Sequence, residues 1–315
     1  MDEKTKKQLL YNRSKTINIH LLIIASSIPQ IILGFFYYKI FLFNNNIYFF
    51  LIELILFLII TLIIFILSSS PEKIQYLIGV SLSIIFSFSI SMTFFTSSKY
   101  YPLYIYFITL CIYHYTEYFS VLIYHFEKLN YEYFLIDQSK NWVIATSISF
   151  LETFLGIYFF DKYKKIKIFF ITGFIMMVFG QFMRIGALYT GKQNFTHRIQ
   201  FDKVEGHKLI THGVFAISRH PSYFGFYLWS LGIEIMCCNP LCSIAFAVVL
   251  FKFFKKRILI EEQTLIQFFG DEYLEYKAKV GILIPFIHLE KEKEEKSLKI
   301  YHKNKNKNIN KSIFS

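Results

Sequence analysis

Two clusters of polar side chains, Arg219-His220-Pro221-Ser222-Tyr223 and Arg257 with Glu261-Glu262, flank one apolar stretch. Their residue types suit recognition of a small charged molecule. Arginine offers a planar fork that matches a carboxylate, neighbouring carboxylates accept hydrogen bonds from cationic groups, and imidazole can donate or accept. The stretch between the clusters is long enough for a pair of membrane helices. Near its middle, Asn239-Pro240 reads as a helix stop followed by proline at a first helical position. A hairpin of these two helices brings the clusters together at its open end and so builds a small-molecule site at a membrane surface.

Each member also has a plainer reading. Arg257 and Glu261 are four residues apart and share a helix face, so they form either an ordinary ion pair worth ~0.2–0.5 kcal/mol, with arginine first the poorer orientation, or part of a ligand site. His220 precedes Pro221 and is driven toward extended backbone, which sets its imidazole at a helix start, as ligand contact or cap. Glu261 and Glu262 point about 100° apart on a helix, so one can meet a cationic ligand while the other orients it. His207, His212 and His220 are spaced so that no two share a helix face, and no Cys or Asp pattern completes a coordination set; no metal is expected. The chain has no GxGxxG after a strand, no GxSxG and no HExxH, hence neither a Rossmann nucleotide site nor visible hydrolytic machinery.

The elements that position these residues are membrane helices. The chain of 315 residues is 54% hydrophobic and 20% aromatic, and its apolar residues gather in long blocks, which excludes an ordinary soluble domain and a disordered chain. A bilayer core needs about 20 apolar residues per helix. Eight spans are expected, at 18–43, 47–68, 74–95, 103–124, 142–160, 168–189, 222–238 and 240–256, the last two a hairpin. The blocks do not alternate as barrel strands do, and the first is followed at once by a second, unlike a cleavable signal peptide. The expected fold is therefore an all-α integral membrane protein without a Rossmann domain. It comprises a polar N-terminus (1–17), a bundle (18–189), a catalytic region with the hairpin and C-terminal helices (190–290), and a basic disordered tail (291–315). Beyond the hairpin, 257–269 has helical periodicity, Gly270 breaks it, and 271–280 starts a shorter amphipathic helix.

The basic residues set topology. Lys4, Lys6, Lys7, Arg13 and Lys15 put the N-terminus in the cytosol, and an even span count places the 190–221 loop and the tail on the same side. Lys162, Lys164, Lys165 and Lys167 fall on the opposite side and are tolerated in this scheme. The net charge of +12 thus serves topology and anionic headgroups, and no nucleic-acid partner is expected. Cys111, Cys237, Cys238 and Cys242 lie in or beside spans and imply no disulfide framework. Glu53, Glu117, Glu152, Arg184 and Glu234 lie inside spans, where charge is expensive. Glu117, Glu152 and Glu234 either pair to fix packing or take part in function, while Glu53 and Arg184 can reach the interface.

Several segments together carry a family likeness: Gln200, HKLI at 207–210, HGVFAISRHPSYFG at 212–225, CNP at 238–240, Phe253-Phe254, the Arg257/Glu261/Glu262 set, LIQFFGDEYLEYK at 265–277 and IPF at 284–286. The run 194–287 resembles the protein-S-isoprenylcysteine O-methyltransferase family, membrane enzymes of the endoplasmic reticulum that methylate the C-terminal prenylcysteine of CaaX proteins. The resemblance implies S-adenosylmethionine as cofactor in a cytosol-facing pocket, and prenylated CaaX proteins such as small GTPase-like substrates as partners in the bilayer. Carried over position by position, it assigns cofactor contacts to Gln200, His207, Lys208, Leu209, Ile210, Phe215, His220, Pro221, Ser222, Tyr223 and Glu261. Arg257 falls at the substrate-carboxylate position, and Arg219 and Glu262 stand behind the site. Phe215 departs from the tyrosine common at its position, which removes a hydroxyl and keeps a ring. A prenylcysteine carboxyl, with a reference pKa of about 3.3–3.7, is already ionised at neutral pH and needs no general base. Rival readings are a phospholipid methyltransferase, a sterol reductase, and a non-enzymatic channel or scaffold. The last leaves the two polar clusters unexplained.

Overall fold

The computed structural model describes residues 3–25, 73–95, 100–136, 139–160, 166–203, 205–285 and 287, with isolated positions at 55, 59, 66 and 162. Glu53, the tail 291–315, most of the expected span 18–43 and nearly all of 47–68 lie outside them. Among the described residues every regular element is helical. The α-helices are α1 (Glu3–Ala25), α2 (Lys73–Phe95), α3 (Tyr101–Tyr124), α4 (Lys140–Phe159), α5 (Lys167–Gly191), α6 (Pro221–Met236), α7 (Pro240–Phe269) and α8 (Asp271–Lys279).

Three described segments are long and apolar enough to cross a membrane: Lys73–Phe94, Lys140–Phe159 and Lys167–Asn194. The span expected over 103–124 does form a helix, α3, but its tyrosines with His114 and Glu117 dilute the aliphatic content. The last expected pair become α6, only 16 residues long, and α7, which runs 30 residues. Nothing between Pro240 and Gly270 breaks a helix, so the expected span 240–256 and the periodic stretch after it are one continuous element. At the other end of the chain, α1 begins at Glu3 rather than at 18. Its Lys, Glu, Gln and Leu residues are good helix formers, and Glu3 pairs with Lys7 at 2.9 Å, one turn on.

Contacts divide the chain into two units. The first holds Met1–Phe170 with the turn Met236–Asn239. Its core gathers Leu82, Cys111, Tyr118, Leu122 and Phe134, with the Tyr118 and Phe134 rings stacked at 4.0 Å. A buried polar chain threads this core. The Tyr118 hydroxyl donates to Gln75 Oε1 at 2.6 Å and lies 3.1 Å from His20 Nε2. Because the hydroxyl spends its proton on Gln75, it accepts from the histidine. The Met236–Asn239 turn is fixed here too, since Asn239 Nδ2 donates to Thr153 Oγ1 at 2.8 Å and to the Ser149 carbonyl at 3.3 Å.

The second unit holds Ile171–Ile235 and Pro240–Ser315, and with them every candidate site residue. Here α5 and α6 meet backbone to backbone. A β-carbon at Gly180 would stand 2.6 Å from the Gly225 carbonyl and would overlap the Trp229 amide nitrogen. One at Gly232 would lie 2.5 Å from the Met177 nitrogen. Only residues without a β-carbon permit this approach. The close contact draws Arg184 of α5 inward, where it is buried, hydrogen-bonded to Ser222 Oγ and placed between the Phe195 and Phe226 rings. It therefore does not extend to the interface. The α6–α7 pair is held by Tyr223 stacked on Phe254 at 5.2 Å and by Phe226 set edge-on to the same ring.

Candidate functional site

The RHPSY segment enters α6 with Pro221 as its first helical residue, a position where the missing N–H costs nothing. The preceding backbone is fastened to the chain that follows α8. The Arg219 amide donates to the Gly281 carbonyl at 2.9 Å, and Ser218 Oγ donates to the Ile282 carbonyl at 2.8 Å. That returning segment reaches the site because Gly270, at φ +57°, ends α7 and turns the chain into α8. This left-handed conformation favours glycine.

Glu262 is the hub. Its side chain is 2% exposed. Oε1 accepts from Arg219 Nε at 3.0 Å, His220 Nε2 at 2.8 Å and Tyr273 Oη at 2.7 Å. Oε2 accepts from Arg219 Nη2 at 3.4 Å and lies 3.5 Å from Lys277 Nζ. The Arg219 Nη1 group also donates to the Lys277 carbonyl at 3.1 Å and to the Val280 carbonyl. A buried charge is tolerated when paired and hydrogen-bonded, and both conditions hold. Burial alone would raise the Glu262 carboxyl, but the hydrogen bond from His220 and the Arg219 guanidinium outweigh it and hold the group well below the usual carboxylate range. The Tyr273 phenol is pushed well above its ordinary value, first by burial and then by the Glu262 charge; it stays a hydrogen-bond donor.

Glu261 faces the other way. Its side chain is 31% exposed, yet Oε2 is enclosed, has no hydrogen-bond partner, and stands 3.7 Å from His220 Nδ1. Since an ionised Glu262 can only accept, the proton on Nε2 belongs to the histidine. In the Nε2–H tautomer, Nδ1 is an acceptor beside a second acceptor, the Glu261 carboxylate. Two neighbouring acceptors without a shared donor suit a ligand that brings a hydrogen-bond donor, above all a cationic one.

An aromatic shelf continues from this corner. The His220 and Tyr223 rings lie nearly parallel at 5.7 Å, and Arg257 packs over Tyr223 and Phe253 at 5.5 and 5.6 Å. Arg257 Nε donates to Tyr223 Oη at 3.3 Å and Nη2 to the His197 carbonyl at 2.9 Å. That fixes the guanidinium plane with two of its five N–H groups. No ion pair joins Arg257 to Glu261 among the described residues, so the intrahelical pairing that their spacing allows is not formed.

The other sequence-derived candidates are distributed around these elements. Phe215 is half-buried against Met183, Ala187 and Val214, and its carbonyl accepts from Tyr276 Oη at 2.5 Å. Burial raises the Tyr276 phenol to about 12. Leu209 packs on Ile266, Tyr273 and Tyr276. His207 stands edge-on to Phe268 and Phe269 at the end of α7, and partial burial, with the nearby Lys203 charge, lowers its pKa. Lys203 itself donates to the Phe268 carbonyl at 2.7 Å, serving a helix C-terminus as a cation does. The Lys208 amide donates to Asn194 Oδ1 at 2.8 Å while its side chain is exposed. Ile210 and Gln200 are half-buried in the irregular stretch between α5 and α6. Sequence reasoning missed Tyr273, Tyr276 and Lys277. Their one signal was a shared face on the amphipathic 271–280 helix.

Comparison with known proteins agrees with this fold. The model of the isoprenylcysteine carboxyl methyltransferase (ICMT) family matches residues 173–267. The human protein-S-isoprenylcysteine O-methyltransferase is 40% identical over 182 residues, covering 58% of this chain and 64% of the relative. The Saccharomyces cerevisiae enzyme is 36% identical over 218 residues, 67% and 89% of the two chains. Arabidopsis thaliana protein-S-isoprenylcysteine O-methyltransferase B is 40% identical over 183 residues, 58% and 92%. A solved structure of the eukaryotic intramembrane Ras methyltransferase ICMT superposes with a TM-score of 0.80 at 29% identity, covering 86% of this chain and 97% of that one. The all-helical fold, with three described helices long and apolar enough to cross a membrane, is similar to that of this solved methyltransferase. The chain belongs to the isoprenylcysteine carboxyl methyltransferase family.

Proposed function

We propose that this protein transfers a methyl group from S-adenosylmethionine to the C-terminal prenylcysteine carboxylate of CaaX-processed proteins, forming a methyl ester. The observation that carries the reading is the division of labour along one helix, α7. Arg257 presents a plane-fixed guanidinium, and one turn later Glu261 presents an orphaned carboxylate oxygen beside His220 Nδ1. The first suits an anionic substrate and the second a cationic cofactor.

The residues present fit such a cofactor, because a ligand donor between Glu261 Oε2 and His220 Nδ1 satisfies both acceptors. His220, Tyr223 and Glu261 hold it, with Gln200, His207, Lys208, Leu209, Ile210, Phe215, Pro221 and Ser222 as further contacts carried over from the family, and Arg219 and Glu262 supporting from behind. When bound, S-adenosylmethionine supplies an electrophilic methyl on a sulfonium. The chain's own residues bind, align and exclude water. Arg257 holds both carboxylate oxygens and leaves a lone pair free to attack. Holding two reactants in line can lower the barrier by about 7–11 kcal/mol. No general base is needed, since the carboxylate is ionised at pH 7.

The isoprenoid stays among the apolar helices, stabilised by ~0.8 kcal/mol per buried CH₂. We place the protein in the endoplasmic reticulum membrane, with α6 and α7 dipping into the bilayer as a hairpin and the site facing the cytosol. Its substrates on this reading include prenylated small GTPase-like proteins. The test is methyl transfer in membranes carrying the protein, using labelled S-adenosylmethionine and a farnesylcysteine analogue, with phosphatidylethanolamine as the competing acceptor. Base-labile methyl ester on the farnesylcysteine is expected. Methylation of the phospholipid alone overturns the assignment.

A further inference from the structure

The Tyr273 hydroxyl lies outside the shelf formed by His220, Tyr223 and Arg257, yet it makes the shortest of the three hydrogen bonds to Glu262 Oε1, at 2.7 Å. That oxygen also accepts the hydrogen bond from His220 Nε2–H at 2.8 Å. The phenol is buried, with 1% of its residue surface exposed, and on α8 it sits on a helix tied to the site by other bonds. Tyr276 donates to the Phe215 carbonyl at 2.5 Å, Lys277 approaches Glu262 Oε2 at 3.5 Å, and Arg219 bonds to the Lys277 carbonyl at 3.1 Å.

We propose that Tyr273 is a positioning residue that acts through Glu262 on His220, keeping the imidazole in its Nε2–H tautomer and its Nδ1 turned toward the methyl-donor corner beside Glu261. This rests on the methyltransferase reading for the identity of the ligand, but the tautomer itself does not depend on it. The geometry explains why a phenol suits the position. Glu262 Oε1 must be fixed in space for His220 to be fixed. Arg219 sets the carboxylate plane through Nε to Oε1 at 3.0 Å and Nη2 to Oε2 at 3.4 Å, and Tyr273 adds a further donor on Oε1 itself. The tyrosine hydroxyl is a rigid donor on a packed ring. Without it Oε1 loses its shortest hydrogen bond, and the carboxylate is free to settle further onto Arg219 and Lys277, which already hold it from the Oε2 side. His220 then loses a fixed acceptor for Nε2–H, and the two tautomers come closer in energy. Charged or titratable neighbours of the ring are Arg219 on its own segment, Tyr223 on α6 with Arg257 behind it, Glu261 and Glu262 on α7, and Tyr273 and Lys277 on α8. Among them Tyr273 donates to the same oxygen as His220 without bringing a formal charge.

The experiment compares wild type, Tyr273→Phe and Tyr276→Phe, each purified full-length in detergent with ¹⁵N-labelled histidine. His220→Gln identifies the His220 signals. The Tyr276 variant removes a hydroxyl donor from the same helix without touching Glu262, and so reports on loosened docking of α8 alone. Expected are an Nε2–H pattern for His220 in wild type and in Tyr276→Phe, and a mixture of tautomers in Tyr273→Phe. Affinity for S-adenosylhomocysteine should fall about tenfold in Tyr273→Phe, equivalent to ~1.4 kcal/mol, with KM for the farnesylcysteine analogue within about twofold of wild type. An unchanged His220 pattern in Tyr273→Phe, or the same mixture in Tyr276→Phe, overturns the positioning role. If wild type binds no S-adenosylhomocysteine, the methyltransferase reading fails, while the tautomer comparison still tests the link from Tyr273 to His220.

Discussion

Arg219 meets Glu262 edge to edge, Nε to Oε1 at 3.0 Å and Nη2 to Oε2 at 3.4 Å, with both side chains almost completely shielded from solvent. Removing one partner of such a pair strands the other as a buried charge, which costs about 3–5 kcal/mol. Arg219→Ala should therefore lower the unfolding free energy by roughly that amount, seen as a fall in the denaturation midpoint in detergent. Arg219→Lys should recover little, because an ammonium cannot bond both oxygens and also reach the Lys277 and Val280 carbonyls. A midpoint for Arg219→Ala equal to wild type would show the pair to be dispensable.

The same hub predicts an acid limb of stability. Glu262 has a folded pKa depressed below its unfolded value of about 4.5, so its stabilising contribution is complete above that pH. It is lost as pH falls through the lower, folded value. The loss therefore belongs to the window below about pH 4.5 and not to the neutral range. Equilibrium unfolding of Glu262→Gln, measured against pH beside wild type, should show a shallower acid slope together with a lower plateau at neutral pH. Parallel curves would mean that other carboxylates carry the acid sensitivity.

Arg257 is half-buried and keeps N–H groups available beyond those used on Tyr223 and His197. If it clamps the substrate carboxylate, Arg257→Ala should lose an interaction of roughly 1.5–3 kcal/mol in kcat/KM for a prenylcysteine substrate. Arg257→Lys should rescue poorly, since a point charge cannot set the carboxylate plane. Glu261→Ala should instead weaken binding of the methyl donor, so the two substitutions separate by ligand. Steady-state kinetics with each substrate varied in turn decides this, and near-wild-type kcat/KM in Arg257→Ala rules out the clamp.

Asn194-Phe195-Thr196 is a glycosylation sequon, but Asn194 Oδ1 already accepts from the Lys208 amide at 2.8 Å, and in the proposed topology this loop is cytosolic. Protein expressed in a glycosylating host should show no change in mobility on deglycosidase treatment. Sugar on Asn194 would reverse the orientation and move the site to the lumenal side.

Much of this was legible in the sequence because it depends on neighbours in the chain. Apolar blocks gave helices, Asn239-Pro240 gave the reversal between α6 and α7, and Gly270 gave the break before α8, since proline and glycine constrain backbone locally. The spacing of Arg257 and Glu261 put them on one face, as one turn of helix requires. What spacing could not decide was partnership. It left open whether Arg257 pairs with Glu261, whereas the folded chain turns Arg257 to Tyr223 and the His197 carbonyl and leaves Glu261 Oε2 beside His220 without a hydrogen-bond partner. Nor could spacing say which of two adjacent glutamates would become the hub. Glu262 takes that role because Arg219 and His220 reach it from 43 and 42 residues away, and because α8 folds back to supply Tyr273 and Lys277. Those contacts exist only once the helices have packed. A carboxylate on one side of α7 is then dry and must be paired, while its neighbour, about 100° around the helix, faces the space a ligand would fill.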